Sequence, residues 1–157
     1  MKRWEQGRTT IETLLERGDL ERVSANAQWA HALIDLAEEQ LRAARAVLEI
    51  SALTAFQTTY DAVHKMFDAI LVNQGLRGTS RGGHLAIRDA LRAQLDPPMS
   101  DLIADVDWMR RMRNAGDYPV PDKKLADRAD ADEALTVGDE LASKVRALLA
   151  AMPPFGT

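Results

Sequence analysis

Apolar residues recur every three or four positions along most of the chain, the spacing that places side chains on one face of an α-helix. The most regular stretch is its third predicted helix, with apolar positions at Phe56, Tyr60, Val63, Phe67, Ile70 and Leu71. We expect this helix to begin after a break near Ser51 and to stop at Gly75, because glycine readily adopts the left-handed conformation that often follows a helix. No alternating apolar run is long enough to predict a strand. The pattern therefore predicts an all-α protein.

Two further helices are predicted before this one. Thr9 and Glu12 have capping-box spacing, which indicates a short helix that ends near Gly18. Ser24 is predicted to cap a long second helix. Its apolar face is expected at Trp29, Leu33, Leu36, Leu41, Ala44 and Val47 or Leu48.

Three helices are predicted after Gly75. The fourth carries Leu85, Ile87, Leu91 and Leu95 and ends at the sequence Asp-Pro-Pro of residues 96–98. Ser100 is predicted to cap the fifth, with Asp101 near its positive end. Asp130 and Glu133 form another capping-box pattern before the last helix, whose apolar positions are Ala134, Val137, Leu141, Val145, Leu148 and Met152.

A chain of 157 residues suits one domain with a real core. Short connections between long amphipathic helices favour antiparallel neighbours. We therefore expect an up-and-down four-helix bundle with additional short helices, covering residues 1–157 as a single domain. Its core is expected at about residues 24–152, with a short amino-terminal helix in residues 1–20. Bundles of this kind often form dimers, because a remaining apolar stripe needs a partner.

Composition narrows the function classes. The chain has no cysteine, which excludes disulfides and thiolate metal sites. The first residues lack the apolar segment of a signal peptide, and no run approaches a membrane span, so a soluble, cytoplasmic protein without membrane contact is expected. A net charge of −4 argues against a general nucleic-acid coat, but the charge is uneven. Residues 77–92 carry four arginines and one acid, whereas residues 117–140 carry eight acids and three bases.

The end of the fifth helix carries the strongest signal for a polar site. Leu102, Val106, Met109 and Arg113 step by four, three and four residues and so share one face. Arg113 thus continues a stripe expected to be buried, and burying a guanidinium is costly unless it is paired or lines a wet cleft. Arg110 and Arg111 precede it, and Asn114 follows. The alternative is structural: Arg113 ends the helix and pairs with Asp117, four residues on, or with the last carbonyls.

The glycine-rich segment of residues 76–83 (LRGTSRGG) resembles a phosphate cradle only superficially. It follows no strand and lacks Gly-Lys-Ser/Thr, so it is not a P-loop, and a plain helix-to-helix connection explains its composition. Arg77, Arg81 and His84 nevertheless lie close together at the start of the fourth helix. Backbone N–H groups there favour an anion.

The remaining polar residues suggest little chemistry of their own. No two of the three histidines have ligand spacing on one helix, so no metal site is predicted. His64 shares a face with Tyr60 and Phe67 and is interpreted as a packed, hydrogen-bonded histidine. Asp107 and Arg111 are four residues apart and are expected to form an ordinary helix ion pair.

Three segments in this order are similar to HEPN domains, the higher-eukaryote and prokaryote nucleotide-binding helical bundles. They are residues 60–75 (YDAVHKMFDAILVNQG), the connection 76–84 and the Arg-Arg-x-Arg-Asn-x-x-x-Tyr-Pro ending of the fifth helix. The resemblance covers about residues 51–119. It implies an α-helical homodimer, often a metal-independent endoribonuclease of a toxin–antitoxin or phage-defence system, with paired motifs meeting across the dimer.

The resemblance also assigns roles to individual residues. Arg113 takes the position of the motif arginine and Asn114 that of the polar residue after it. The motif histidine falls on Tyr118, whose phenol, with an ordinary pKa near 10, is a poorer base at neutral pH than imidazole at about 6.5. Arg113 can still bind a phosphate through two parallel hydrogen bonds from its guanidinium. Arg110, Arg111, Arg77, Arg81 and His84 are the candidate RNA- or nucleotide-binding residues beside it.

Four functional hypotheses follow. The first is a homodimer that binds RNA or a nucleotide through the Arg113–Asn114–Tyr118 motif, with no cofactor and a degenerate nuclease motif. The second is an active metal-independent ribonuclease in which His84 or His64 replaces the missing histidine. The third is a non-catalytic partner of a minimal nucleotidyltransferase antitoxin, with Tyr118 as the modified residue. The fourth is a helical dimer in which Arg113 forms an interface ion pair and binds no ligand.

Overall fold

The computed structural model describes residues 4–156 and is built mainly from helices, which confirms the all-α prediction. The helices are α1 (Arg8–Glu16), α2 (Ala27–Val47), α3 (Ala52–Asn73), α4 (Gly83–Leu95), α5 (Ser100–Asp117) and α6 (Arg128–Ala151). Two strands, β1 (Leu20–Arg22) and β2 (Leu76–Gly78), pair antiparallel. They were not predicted, because three residues are too few to show an alternating pattern. Residues 1–3 and 157, the ends of the predicted domain, lie outside the described residues.

Helix α3 is the centre of the fold and packs against α2, α4, α5 and α6. All six of its predicted apolar positions, from Phe56 to Leu71, are buried. A helix that is buried around most of its circumference needs neighbours on several sides. Its predicted boundaries also hold: Ser51 caps its start by accepting the N–H of Thr54 at 3.1 Å, and Gly75 follows its end with φ of 77°.

The buried face of α2 agrees with the predicted one at Leu41 and Ala44 but differs from it in the first half of the helix. Its buried residues are Ala30, Ile34, Ala37, Leu41 and Ala44. Trp29 and Leu36, predicted to be buried, are 52% and 40% exposed. Small alanines let α2 approach its neighbours closely, so the larger side chains one position away stay at the border. Leu85 at the start of α4 was likewise predicted to be buried and is 50% exposed.

Two predicted helix starts are displaced along the chain. The cap of α2 is Asn26 rather than Ser24, and its side chain accepts the N–H of the third residue on at 2.8 Å. The capping box of α6 joins Asp127 and Asp130, in two reciprocal hydrogen bonds of 3.0 Å, rather than Asp130 and Glu133. In both cases several residues that could cap a helix are adjacent in the sequence. Their spacing alone does not determine which of them is the cap.

The starts of α1 and α5 also differ from the predictions. Gly7 precedes α1 and no side chain caps it, so Thr9 does not form the predicted box. Glu12 instead pairs with Arg8, with Nε and Oε1 2.9 Å apart. Ser100 is the first residue of α5 rather than its cap.

One core runs through the described residues. It extends from Ile11 in α1 to Phe155 beyond α6, and is therefore wider than the predicted range 24–152. Phe155 is held there by its N–H, which donates to the carbonyl of Gln74 at 2.8 Å. No helix of the described residues is both long enough and apolar enough to cross a membrane.

Candidate functional site

A cleft of about 440 Å³ lies where the start of α4 meets the end of α5. Its floor is Tyr60 of the central helix, and its wall includes Asp117. The remaining lining residues are Gly82, Gly83, His84, Leu85, Arg110, Arg113, Asn114 and Tyr118. The structure thus brings together all three residues of the predicted motif, with Arg110 and His84 beside them.

Arg113 is half-buried in this cleft, as its place on the stripe of Leu102, Val106 and Met109 predicted. Its Nη1 lies 3.0 Å from Oδ2 of Asp117, and its Nη2 lies 3.9 Å from Oδ1 of Asp61. The predicted pairing with Asp117 is therefore confirmed.

The guanidinium of Arg113 also lies over an aromatic ring. Its Cζ is 5.4 Å from the ring centroid of Tyr60, within the range of a cation–π contact. Tyr60 is only 4% exposed. Burial raises the pKa of its phenol, opposed by the nearby charges of Arg113 and Arg110, so the ring stays neutral beneath the guanidinium.

Neither Arg113 nor Arg110 donates a hydrogen bond to another described residue. The Nε atoms of both are buried and have no hydrogen-bond partner there. Arg110 is 24% exposed, and its nearest carboxylate oxygen, on Asp107, is 3.9 Å away. Arg146, by contrast, donates three hydrogen bonds of 2.9–3.1 Å to Glu38 and Asp35. The cleft therefore holds two arginines whose donors are unusually unsatisfied for their burial.

Asn114 and Tyr118 lie at the mouth of the cleft. Asn114 is exposed, and its carbonyl accepts the N–H of Tyr118 at 3.1 Å, which closes the helix. The side chain of Tyr118 is then free of the helix, and the residue is 79% exposed. A ring in this position is available to stack on an aromatic ligand.

His84 is exposed at the start of α4 and lies against two other rings. Its centroid is 3.9 Å from that of His64 and 6.5 Å from that of Tyr60. Desolvation lowers the pKa of His84, and its electrostatic interactions with His64 and Arg113 lower this pKa further. Its neutral form therefore dominates at neutral pH, which leaves a ring nitrogen able to accept a proton.

The contact between His64 and His84 was not foreseen from the sequence. The two residues are 20 positions apart and on different helices, so no spacing rule links them. His64 was expected to be packed and hydrogen-bonded. It is half-buried, with its Nδ1 3.3 Å from Oδ2 of Asp68, but its buried Nε2 has no hydrogen-bond partner among the described residues.

Three of the predicted binding arginines lie outside the cleft. Arg77 pairs with Glu21 across the two strands, with 2.6 Å between Nη2 and Oε1, and Arg81 lies 3.7 Å from Asp19. Arg111 is exposed on the other side of α5. The basic segment 76–84 therefore contributes only its last residues, including His84, to the site.

The predicted pair of Asp107 and Arg111 does not form. Asp107 instead lies 3.5 Å from Arg88, 3.8 Å from Arg92 and 3.9 Å from Arg110. Its carboxylate points toward α4, where two arginines of that helix are within reach. Tertiary packing here overrides the four-residue spacing, which contributes only a few tenths of a kcal/mol.

Within residues 4–156, no group of three or more histidine or acidic side chains is arranged to hold a metal ion. Comparison with known proteins found no matching family model, no matching curated protein and no matching solved structure. The chemistry of the cleft is therefore what indicates a function for this protein.

Proposed function

We propose that this protein binds RNA or a nucleotide in the cleft of Arg113, with a phosphate held by Arg113 and Arg110. The observation that carries the proposal is that each of these two half-buried guanidiniums has a buried Nε without a hydrogen-bond partner. Unsatisfied donors in a partly desolvated site are costly for the free protein. A phosphate offers several acceptor oxygens with the geometry that a guanidinium fork prefers.

Asp117 occupies the position that the phosphate would take. Its carboxylate contacts Arg113 and accepts a hydrogen bond of 3.1 Å from Nε2 of Gln57. Both members of the ion pair are about 30% exposed, so their attraction is worth about 0–1 kcal/mol. Such a contact is weak enough for a phosphate to replace, and Asp117 would keep its hydrogen bond with Gln57 as it moves aside.

The aromatic side chains suit the rest of a nucleotide. Tyr118 offers an exposed ring at the rim, and stacking on an aromatic ring is worth about 1–3 kcal/mol per base. Single-stranded RNA presents unstacked bases that such rings recognise. The cleft therefore favours single-stranded over double-stranded RNA.

Two arginines on the same helix, one inside the cleft and one outside it, allow a test of this proposal with a matched control. Arg113→Ala removes a charge inside the cleft, whereas Arg111→Ala removes the same charge two residues away, on the exposed side of α5. Fluorescence anisotropy with a labelled single-stranded RNA should show at least about a tenfold loss of affinity for Arg113→Ala. Arg111→Ala should lose only the small amount expected from net charge. Equal losses in two folded variants would disprove the site.

His84 favours a second candidate function, RNA cleavage at the same cleft. A neutral imidazole of His84 would accept the proton of a ribose 2′-hydroxyl, and the 2′-oxygen would then attack the adjacent phosphorus. The bond to the 5′-oxygen breaks, and this oxygen takes up the proton that His84 had accepted, which leaves a 2′,3′-cyclic phosphate and a 5′-hydroxyl. Arg113 would stabilise the charge that develops on the phosphorane oxygens.

This step uses only groups of the protein, so cleavage should proceed in EDTA. Mass spectrometry of the products should find cyclic phosphate ends with the natural protein and none with His84→Gln. His31→Gln is the control, because His31 is exposed on α2 and does not line the cleft. An intact RNA panel after prolonged incubation would limit the function to binding.

A homodimer is also part of the proposal. Two exposed apolar or aromatic residues line the cleft, Leu85 at 50% and Tyr118 at 79% exposure, and Val120, two residues after Tyr118, is 48% exposed. Exposed apolar side chains grouped around a polar site are typical of an interaction surface. Light scattering after size-exclusion chromatography should give a dimer mass, and Val120→Asp should shift it toward the monomer.

A further inference from the structure

A second cavity, of about 560 Å³, lies on the other side of His84 from the Arg113 cleft. The two cavities share Gly83 and His84 in their walls. A volume of this size is within the range of small-molecule sites, which bury a ligand against apolar walls and orient it with a few polar groups. We call this cavity the His64 pocket.

The walls of the His64 pocket are mainly apolar. Leu71 and Ile87 are buried behind its surface, and Leu33 and Val72 are partly buried. Trp29 is at its mouth and is 52% exposed. This is the same side chain that the periodicity of α2 assigned to the core. Its ring is thus available as a stacking surface beside an apolar cavity.

The polar end of the pocket is a carboxylate beside an imidazole. Asp68 is 39% exposed, and one of its oxygens, Oδ2, lies 3.3 Å from Nδ1 of His64. Its other oxygen has no hydrogen-bond or ion-pair partner among the described residues. An ionised carboxylate can only accept hydrogen bonds. A ligand in this pocket would therefore present N–H or O–H donors to Asp68.

We infer that the His64 pocket is a subsite for a nucleobase, and that it prefers guanine. This inference rests on the proposed function, since the phosphate would lie across His84 on Arg113. Guanine presents two adjacent N–H donors on its Watson–Crick edge, which a carboxylate can accept together. Adenine and cytosine each present an amino group next to a ring acceptor, which would face the carboxylate unfavourably.

The pocket also fits the other requirements of a base. Its apolar walls bury the flat faces, and Trp29 supplies the aromatic contact on which unpaired RNA bases typically stack. The neighbouring Arg77 is paired with Glu21, so it does not neutralise Asp68. With a guanine beside Asp68 and a phosphate beside Arg113, His84 would lie between the base and the phosphate of one nucleotide.

Isothermal titration calorimetry with GMP, AMP and CMP tests this inference, because the three nucleotides share the phosphate and differ in the base. GMP should bind at least about tenfold more tightly than the other two. Asp68→Asn should remove this preference. Trp29→Ala, a change at an exposed residue, should weaken all three by about tenfold. Asp132→Asn, on the exposed side of α6, loses the same charge and should change nothing.

The outcomes separate this inference from the proposed function. Arg113→Ala should weaken all three nucleotides and leave the ratio of GMP to AMP unchanged. Equal affinities for GMP and AMP, or a preference that survives Asp68→Asn, would overturn the base subsite even if RNA binding still depends on Arg113. A guanine preference that disappears in Asp68→Asn, together with RNA binding indifferent to Arg113→Ala, would keep the base subsite and overturn the phosphate site.

Discussion

Asp117→Asn should increase the affinity of the cleft for RNA. The carboxylate of Asp117 contacts Arg113 in the free protein and would lie close to a phosphate bound there. The asparagine side chain has nearly the same shape, and its carbonyl oxygen can still accept the hydrogen bond from Gln57. The substitution therefore removes a competing charge with little change in packing.

The size of the gain follows from two contributions. A carboxylate and a phosphate about 5–6 Å apart in a partly solvated site repel each other by on the order of 1 kcal/mol. Loss of the partly exposed ion pair between Arg113 and Asp117 costs the natural protein about 0–1 kcal/mol on binding. Together the two contributions predict that the substitution raises the affinity for RNA by about fivefold to thirtyfold at low salt. The increase should shrink as salt screens both contributions.

Fluorescence anisotropy with a labelled single-stranded RNA measures the effect in a double-mutant cycle. Asp117→Asn should gain less in the Arg113→Ala background, because no ion pair remains to be released there. Asp122→Asn removes the same charge from the exposed loop after α5 and should change affinity by no more than about twofold. An unchanged or reduced affinity for Asp117→Asn would refute the idea that this carboxylate competes with a phosphate.

Three further predictions concern stability and are measurable by urea unfolding. Gly7→Ala should cost several kcal/mol, because φ is +79° and the new Cβ would lie 2.6 Å from the main chain of α4. Gly18→Ala has a similar φ of +74° but open space, so it should cost only about 1–2 kcal/mol, and equal costs would contradict the packing argument. Gln94→Met should cost about 2–4 kcal/mol by breaking two buried hydrogen bonds with Gln74, and adding Gln74→Met should restore part of that loss. The lowered pKa of His84 means that the unfolded chain binds its proton more readily, so the free energy of unfolding should fall as pH drops below about 6.5. His84→Gln should flatten this fall between pH 7.5 and 5.5, and an unchanged pH profile would show that His84 is not desolvated.

The sequence by itself determined the helical class, the central helix and the place of Arg113 on a buried stripe. Each of these depends on the local spacing of apolar residues, because residues three or four positions apart lie on the same face of a helix. Phe56 and its partners at three- and four-residue spacing could be assigned because large apolar side chains made the face unambiguous. The pairing of Arg113 with Asp117 has the same local origin, since one turn of helix separates them.

Other local features were indicated but misplaced. The predicted face of α2 was right at Leu41 and Ala44 but wrong at Trp29 and Leu36. The buried positions of this helix are mainly alanines, because small side chains let two helices approach closely. Caps shifted by two or three residues where several polar candidates were adjacent, as with Ser24 and Asn26. Which of these residues becomes the cap depends on where tertiary packing makes the helix begin.

Only the tertiary structure decided which polar residues share a site. His84 meets His64 and the Arg113 cleft because the start of α4 crosses the central helix, and no spacing along the chain encodes that crossing. For the same reason, Asp107 forms ion pairs with arginines of α4 rather than with Arg111. A salt bridge along one helix contributes only tenths of a kcal/mol, whereas the packing of whole helices contributes far more and so sets the side-chain partners.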